Sequence, residues 1–384
     1  MKINKVIVIG AMLLIVNQAY GAWVNFYGHV LDIPTEALHQ VKSPSHINQQ
    51  NIHYSQRANN KLDLSPTTSS IRVKAEQLNL DDFGVLMLCK RIAAQVSRDK
   101  NQNEVILYNL LKELNYNVKL TYNNSISTFG QFNQNPAASV YIMLNGERYS
   151  QLNFDNRKLQ GNRFIYKESE QQFPVKRRSF VFEGSAPKLN AKLGGRLFTW
   201  SFQGKAYQLK TVTNESLNEY LDDIPQFELG KSYLTMSASH EFKTSVLQPL
   251  ETLMQDMHSL GQKADFLLHF VQKTLTYKSD YEQYGRENYN FPEETVNNQY
   301  SDCEDRTILL AYLCNELLNM ESVMLHFEKD QHVCLGLKMP NRSNSWSFKY
   351  KDEPYIVAEP TGENLSLGKT GISLSRVTNV IDLF

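Results

Sequence analysis

An α+β fold is what this chain of 384 residues predicts, and three observations carry the expectation. Helical apolar spacing occupies two blocks, "LDDFGVLMLCKRIAAQV" with "NEVILYNLLKEL" in the first third and residues 243–318 in the last. Strand-type alternation fills residues 140–240 and returns after residue 320. Helices and strands come in runs instead of in regular alternation, which favours segregated layers over a parallel α/β sheet.

The first 22 residues have the form of an export signal. Lys2 and Lys5 give a positive start, "VIVIGAMLLIV" is an apolar run too short to span a bilayer, and Ala19 and Gly21 are the small residues of a cleavage site. The alternative is an uncleaved N-terminal anchor. No cysteine follows the cut to carry a lipid, and no later segment is long and apolar enough for a span. A periplasmic or secreted protein without stable membrane insertion is expected. Forty basic residues balance forty acidic ones, so the charge excess of a nucleic-acid binder is missing.

"WVNFYGHVLDIP" predicts a short strand piece, and residues 39–66, polar and without apolar period, predict a long loop. A helix with Asp81 or Asp82 near its start follows, with Cys89 on its apolar side as a core thiol. Next come a helix running into the strand "NVKLTY", then two strands about a turn at Asn145-Gly146. "RRSFVFEG", "GRLFTWSFQGKAYQLKTV" and "KSYLTMSASHEF" predict strands, the second with a "QGK" hairpin turn. "LGGR" at 193–196 reads as a strand turn and "KRR" at 176–178 as a solvated strand end. "SVLQPLETLMQDMHSL" and "KADFLLHFVQKTLTY" are amphipathic helices. "KSDYEQYGRENYNFPEETVNNQY" is a polar loop leading to the helix "SDCEDRTILLAYLCNELL". The strands "SVMLHFE" and "HVCLGLKMP", a turn around "NRSNS" and the strand "YIVAE" complete the chain. The implied layout is a signal peptide (1–22), an α+β N-terminal domain (23–155), a β-rich middle region (156–242) and a C-terminal domain (243–384). "YNLLKELNYNVKLTY" is similar to "AYLCNELLNMESVMLHF", and aligning Glu113 with Glu316 carries Cys303 onto Lys100. The N-terminal domain is thereby expected to be a degenerate copy of the C-terminal one, without its cysteine.

The chemistry concentrates at "SDCEDR". Ser301 and Glu304 match a capping box, which makes Ser301 the N-cap and Cys303 the second helical residue. Unpaired N–H groups and the positive end of the helix dipole there lower a thiol's pKa, and the flanking acids are expected to point elsewhere. The same N–H groups suit an oxyanion. His332 heads the next strand but one, sharing a face with Cys334 and Gly336, and Glu359 ends a further strand just before Pro360. Cysteine, histidine and acid in this order supply a nucleophile, a base and an orienter. The bland alternatives are a structural histidine and a solvated loop acid. A metal site from Cys303, Cys314, His332 and Cys334 matches no compact zinc spacing, so neither a metal nor a cofactor is expected. Cys314 is three turns from Cys303 and reads as a core thiol, with a Cys314–Cys334 disulfide left open. Arg306 reads as structural, or as a partner of Asp302 or of a substrate carboxylate.

Residues 243–365 resemble the transglutaminase-like superfamily, papain-like in its triad chemistry. The likeness rests on Asp302-Cys303-Glu304-Asp305 with "FPEE" upstream, on His332-Val333, and on Glu359-Pro360-Thr361. It implies a thiol-dependent acyl-transfer enzyme acting on a protein or peptide substrate through Cys303, His332 and Glu359. The family's third residue is usually Asp, and Glu359 departs from that pattern; Glu363 and Asp352 are the other acids near that strand. The family's side-chain oxyanion donor would lie among Gln283, Tyr284, Asn288 and Tyr289. Hydrolysis by a cysteine protease or amidase is expected over amine transfer by a cross-linking transglutaminase. The non-enzymatic alternative is a scaffold that kept the fold.

Overall fold

A computed structural model describes residues 21–137, 139–154, 163–167, 176–190, 192–340 and 346–384. The run 6–16 expected to be an export signal, with Lys2, Lys5 and Ala19, and the turn expected at "NRSNS" lie outside the described residues. The architecture is mixed helix and strand, an α+β fold.

The chain opens on a hairpin of β1 (Gly21–Phe26) and β2 (His29–Pro34). Its turn, Tyr27-Gly28, has both residues at positive φ (46° and 84°), the primed geometry that matches strand twist. Residues 39–66 are not the loop the sequence predicts. They contain α1 (Gln49–Asn59) and the start of α2 (Ser65–Leu78). The inward stripe of α1 is Ile52, Gln56 and Asn59, so a single apolar residue marks a helix whose other contacts are polar. Asn59 does the docking through its amide, donating to the Lys42 carbonyl and accepting from the Lys42 N–H. Asn48 caps α1 by accepting from the Asn51 N–H at 2.8 Å. Asn48→Ala should therefore cost about 1 kcal/mol, a thermal midpoint drop of roughly 1–2 °C for a chain this long. Asn48→Asp should restore it. Equal melting of all three proteins would mean the cap carries no stability.

α3 (Asp82–Val96) and α4 (Lys100–Glu113) form where the apolar period places them, capped by Asp81 and Asp99. Asp82 is buried and accepts from the Tyr116 hydroxyl (2.6 Å) and the Val181 N–H (2.9 Å), with Arg178 in an ion pair. Arg178 of the "KRR" run is thus tied to the core of this half and lies over the Tyr116 ring. After α4 come β3 (Val118–Tyr122), β4 (Ile126–Gly130), β5 (Tyr141–Leu144), β6 (Glu147–Gln151) and β7 (Phe164–Ile165). They form an antiparallel sheet in the order β5-β6-β4-β3-β7.

The middle region holds β8 (Leu193–Gly194), the hairpin of β9 (Leu197–Phe202) and β10 (Lys205–Lys210), and β11 (Thr213–Asn214). It also contains α5 (Glu215–Asp222), which the strand reading missed. "RRSFVFEG" makes only isolated bridges at Arg178 and Phe180. "KSYLTMSASHEF" is a 3-10 turn (Lys231–Leu234) and then the start of a helix, because Ser239 caps that helix and strands do not begin at caps. That helix runs from α6 (His240–Phe242) through a π-turn (Lys243–Leu247) into α7 (Gln248–Leu253).

α8 (Leu260–Thr274) and β12 (Thr276–Tyr277) follow, and the predicted polar loop carries α9 (Asp280–Tyr284) and α10 (Pro292–Asn297). Both glutamates of "FPEE" are buried structural groups. Glu293 accepts from the Ser239 hydroxyl at 2.6 Å, and Glu294 accepts from the Phe291 N–H at 2.8 Å. β13 (Tyr300–Ser301) pairs with β12 and leads into α11 (Cys303–Leu318). Every residue of α11 from Asp305 to Cys314 is buried, which makes it the central helix of its half, packed on α8 and α10. Each large apolar side chain so buried contributes roughly 1.5–3 kcal/mol.

The last sheet contains β14 (Ser322–Phe327), β15 (His332–Lys338), β16 (Ser347–Tyr350), β17 (Glu353–Ala358) and β18 (Asn379–Asp382), in the order β16-β17-β15-β14-β18. Val333, Leu335 and Leu337 face the main core with α11, while Cys334 joins Val323, Leu325 and Phe327 in a small cluster on the opposite face. Cys89, Cys303, Cys314 and Cys334 are all free thiols, so the disulfide left open by the sequence is not made. No described helix is long and apolar enough to cross a membrane.

Candidate active site

Cys303 is the first residue of α11, one place earlier than the sequence predicts. Ser301 cannot be the cap because it is held extended in β13, and its hydroxyl accepts from Arg306 Nε at 3.1 Å. The cap is Asp302, whose Oδ1 accepts from the Asp305 N–H (3.3 Å) while Asp305 Oδ2 accepts from the Asp302 N–H (3.4 Å). The capping box is therefore Asp302–Asp305 and not Ser301–Glu304. Arg306 also donates to the Leu275 carbonyl at 2.7 Å and lies over the Tyr277 ring, which makes it a structural clamp on β12 and β13.

The structure brings His332 and Glu359 together. Nε2 of His332 lies 2.9 Å from Glu359 Oε2. Glu359 follows the last residue of β17, adjacent to β15 in the sheet, and both of its oxygens are engaged. The Thr361 N–H donates to Oε1 at 3.2 Å, and Thr370 donates to Oε2 at 3.4 Å. Gln272 of α8 fixes the same turn by donating to the Glu359 and Leu365 carbonyls. With Nε2–H directed at a carboxylate, the imidazole keeps Nδ1 as its free acceptor. Asp352 and Glu363 are exposed, so Glu359 is the acid of this pair.

Cys303 has a different partner from the one expected. Its thiol donates to Glu304 Oε2 at 2.8 Å, so the neighbouring acid does not point away. Among the described residues no hydrogen bond joins the thiol to His332. The backbone N–H of Val333, the residue after His332, is close enough to the sulfur to favour the thiolate. Burial raises the thiol's pKa well above its ordinary value, the Glu304 and Asp302 charges raise it further, and the Val333 N–H works against them. Cys303 is 4% exposed, and the desolvation of a thiolate there outweighs the pull of the helix dipole. The resting thiol is protonated, contrary to the activated thiol that the helix start alone would predict. Cys334 and Cys314 are inert for the same reason, burial.

Three buried acids sit beneath this helix start. Oxygens of Asp280, Asp302 and Asp305 lie within 4.8 Å of one another, a set that could hold a hard divalent cation. Asp305 also accepts from both the N–H and the side-chain amide of Asn290. Burial and mutual repulsion hold Asp302 and Asp305 above the usual carboxylate range, and burial pushes Asp280 up to about 7. A raised carboxylic pKa binds more protons folded than unfolded. Its stabilising share is full below the unfolded value and is lost as pH rises through the folded one. Asp280→Asn should therefore match wild type near pH 4 and hold a steady advantage above about pH 7, with the whole of that gain building up between about pH 4 and pH 7. A constant difference across that range would show that Asp280 ionises normally.

Of the four oxyanion-donor candidates, Gln283 spends its amide on the Lys278 carbonyl and Asn288 spends its own on Asn290. Tyr289 remains, its phenol pushed up by burial and then by Glu304, and Tyr284 is pushed up to about 12 by burial and then by Asp305. Tyr277, which sequence reasoning overlooked, is pushed up to about 12 by burial and next by the Cys303 sulfur. All three phenols are protonated donors at neutral pH. No protein-family model matches the chain, and no curated protein matches it.

Proposed function

We propose that this protein is an exported, thiol-dependent acyl-transfer enzyme of transglutaminase-like type, a cysteine protease or amidase acting on peptide or isopeptide bonds. The observation that carries the reading is the His332–Glu359 pair at 2.9 Å, set one residue from Val333, whose N–H favours the Cys303 thiolate. The C-terminal domain would be the catalytic one, with the N-terminal leader directing export.

The chemistry runs in two halves. The thiol turns from Glu304 to His332, and Nδ1 takes its proton as sulfur attacks the carbonyl carbon. The oxyanion meets N–H groups of the first turn of α11 and a phenol from Tyr277 or Tyr289. The tetrahedral species expels the amine, which leaves with the proton from His332. Water then attacks the thioester with His332 as base, releasing the carboxylic product and restoring the thiol. Glu359 holds the imidazole and balances its charge while it is protonated.

One observation favours the scaffold alternative. The thiol is buried and bound to Glu304, so the resting arrangement is silent until that bond breaks. Capture of the acyl-enzyme separates the two readings. p-Nitrophenyl acetate should leave an acetyl group on the Cys303 peptide that hydroxylamine removes. A chain that stays unacetylated at Cys303, in the native state and at pH 6 through 9, would be a scaffold.

A further inference from the structure

The two sheets are wired alike. Each follows a helix, α4 or α11, and the orders β5-β6-β4-β3-β7 and β16-β17-β15-β14-β18 match strand for strand in chain sequence. The helices start alike, on an aspartate cap followed by Lys100 in one half and Cys303 in the other. In the hairpins, Ile126 closes β4 onto Tyr122 as His332 closes β15 onto Phe327. Three residues on, Phe129 pairs with Gln151 as Leu335 pairs with Ala358. Leu152 therefore stands where Glu359 stands in the other half. Lysine, isoleucine and leucine replace the triad, so this place has neither the thiol nor the imidazole.

It has a cavity instead. A space of about 310 Å³ opens between the start of α4, the start of β4, the end of β6 and α3. Its wall mixes apolar side chains, Leu107 and Ile126 among them, with polar groups of both charge signs. Lys90 and Lys100 contribute cations, and Glu104 feels the charge of Lys90 while its Oε2 accepts from the Thr128 N–H at 2.7 Å. Gln151 is 3% exposed, and among the described residues its side-chain oxygen and that of Asn103 have no hydrogen-bond partner. Buried acceptors without donors are costly, and a pocket that keeps two of them is shaped for N–H groups it does not itself supply. Lys100 is out of place by the ordinary rule, since a cation at a helix N-terminus opposes the dipole. An anion seated there would satisfy both the lysine and the first-turn N–H groups.

We infer that the N-terminal half uses the position of the other half's triad as a non-catalytic binding pocket for an acidic amino acid or a short peptide ending in one. The carboxylates go to Lys100, Lys90 and the start of α4, and the N–H groups go to Gln151, Asn103 and Glu104. The volume suits one residue or two, at the small end of ligand sites. The inference rests on the shared topology and the cavity, and stands whether or not Cys303 is reactive.

Calorimetric titration of the full chain with L-glutamate tests it. Saturable binding with a Kd below about 1 mM is expected. Glutarate, which has the carboxylates without the amine, should bind at least about tenfold more weakly. Ala-Glu in place of glutamate distinguishes a peptide end from a free amino acid, and binding of either supports the pocket. Gln151→Leu should weaken binding by about tenfold or more. The exposed Lys100→Gln, which threatens no packing, should do the same. Saturation by neither ligand, glutarate binding as tightly as glutamate, or an unchanged Kd in Lys100→Gln would overturn the inference.

Discussion

His332→Ala should slow acetylation of Cys303 by p-nitrophenyl acetate by roughly 10²–10⁴-fold, the usual share of a positioned general base. The size follows from the state of the thiol. Burial and two neighbouring carboxylates keep it protonated, so the sulfur is a poor nucleophile until a base removes its proton during attack. Glu359→Gln should give a smaller loss and shift the pH profile, since an amide can hold the ring but cannot balance an imidazolium. Cys303→Ala should abolish the adduct. Wild-type rates in His332→Ala would mean that the His332–Glu359 pair serves the sheet and not the thiol.

Glu304→Gln should move reactivity the other way. Glu304 is the first charged group to act on the thiol after burial itself, and it also accepts the thiol's hydrogen at 2.8 Å. Removing a like charge at contact distance lowers a pKa by about 1–3 units. The iodoacetamide rate at pH 7 should then rise roughly 10- to 1,000-fold, with its pH midpoint displaced downward by the same number of units. Glutamine suits a helix's first turn and Glu304 is not fully buried, so the fold should survive. An unchanged profile would show that desolvation alone holds the proton on sulfur. A second outcome concerns the wild-type protein. Its resting thiol should alkylate more slowly than free cysteine, because the helix dipole is outweighed.

The halves of the fold that were legible in the sequence are those whose elements bury apolar stripes. α3, α4, α8 and α11 repeat apolar residues at helical spacing, and the turns at Asn145-Gly146 and Gln203-Gly204 use residues that tolerate positive φ. Hidden were the elements docked by polar contacts. α1 turns Gln56 and Asn59 inward, α9 and α10 are too short to show a period, and the helix near Ser239 depends on Glu293 from a distant segment.

At the site, the residue types and their order along the chain marked Cys303, His332 and Glu359, because a nucleophile at a helix start and a base at a strand start are local features. Whether His332 meets Glu359 depends on β15 lying beside β17, a pairing between residues from 17 (Lys338 with Tyr355) to 23 (Leu335 with Ala358) positions apart. The direction in which Glu304 points, and the proximity of Asp280 and Tyr277, depend on how α9, β12 and α11 converge. Sequence alone determined which chemical groups were available. Tertiary packing decided their protonation, since burial and the closeness of other charges set a pKa and neither is a property of neighbours along the chain.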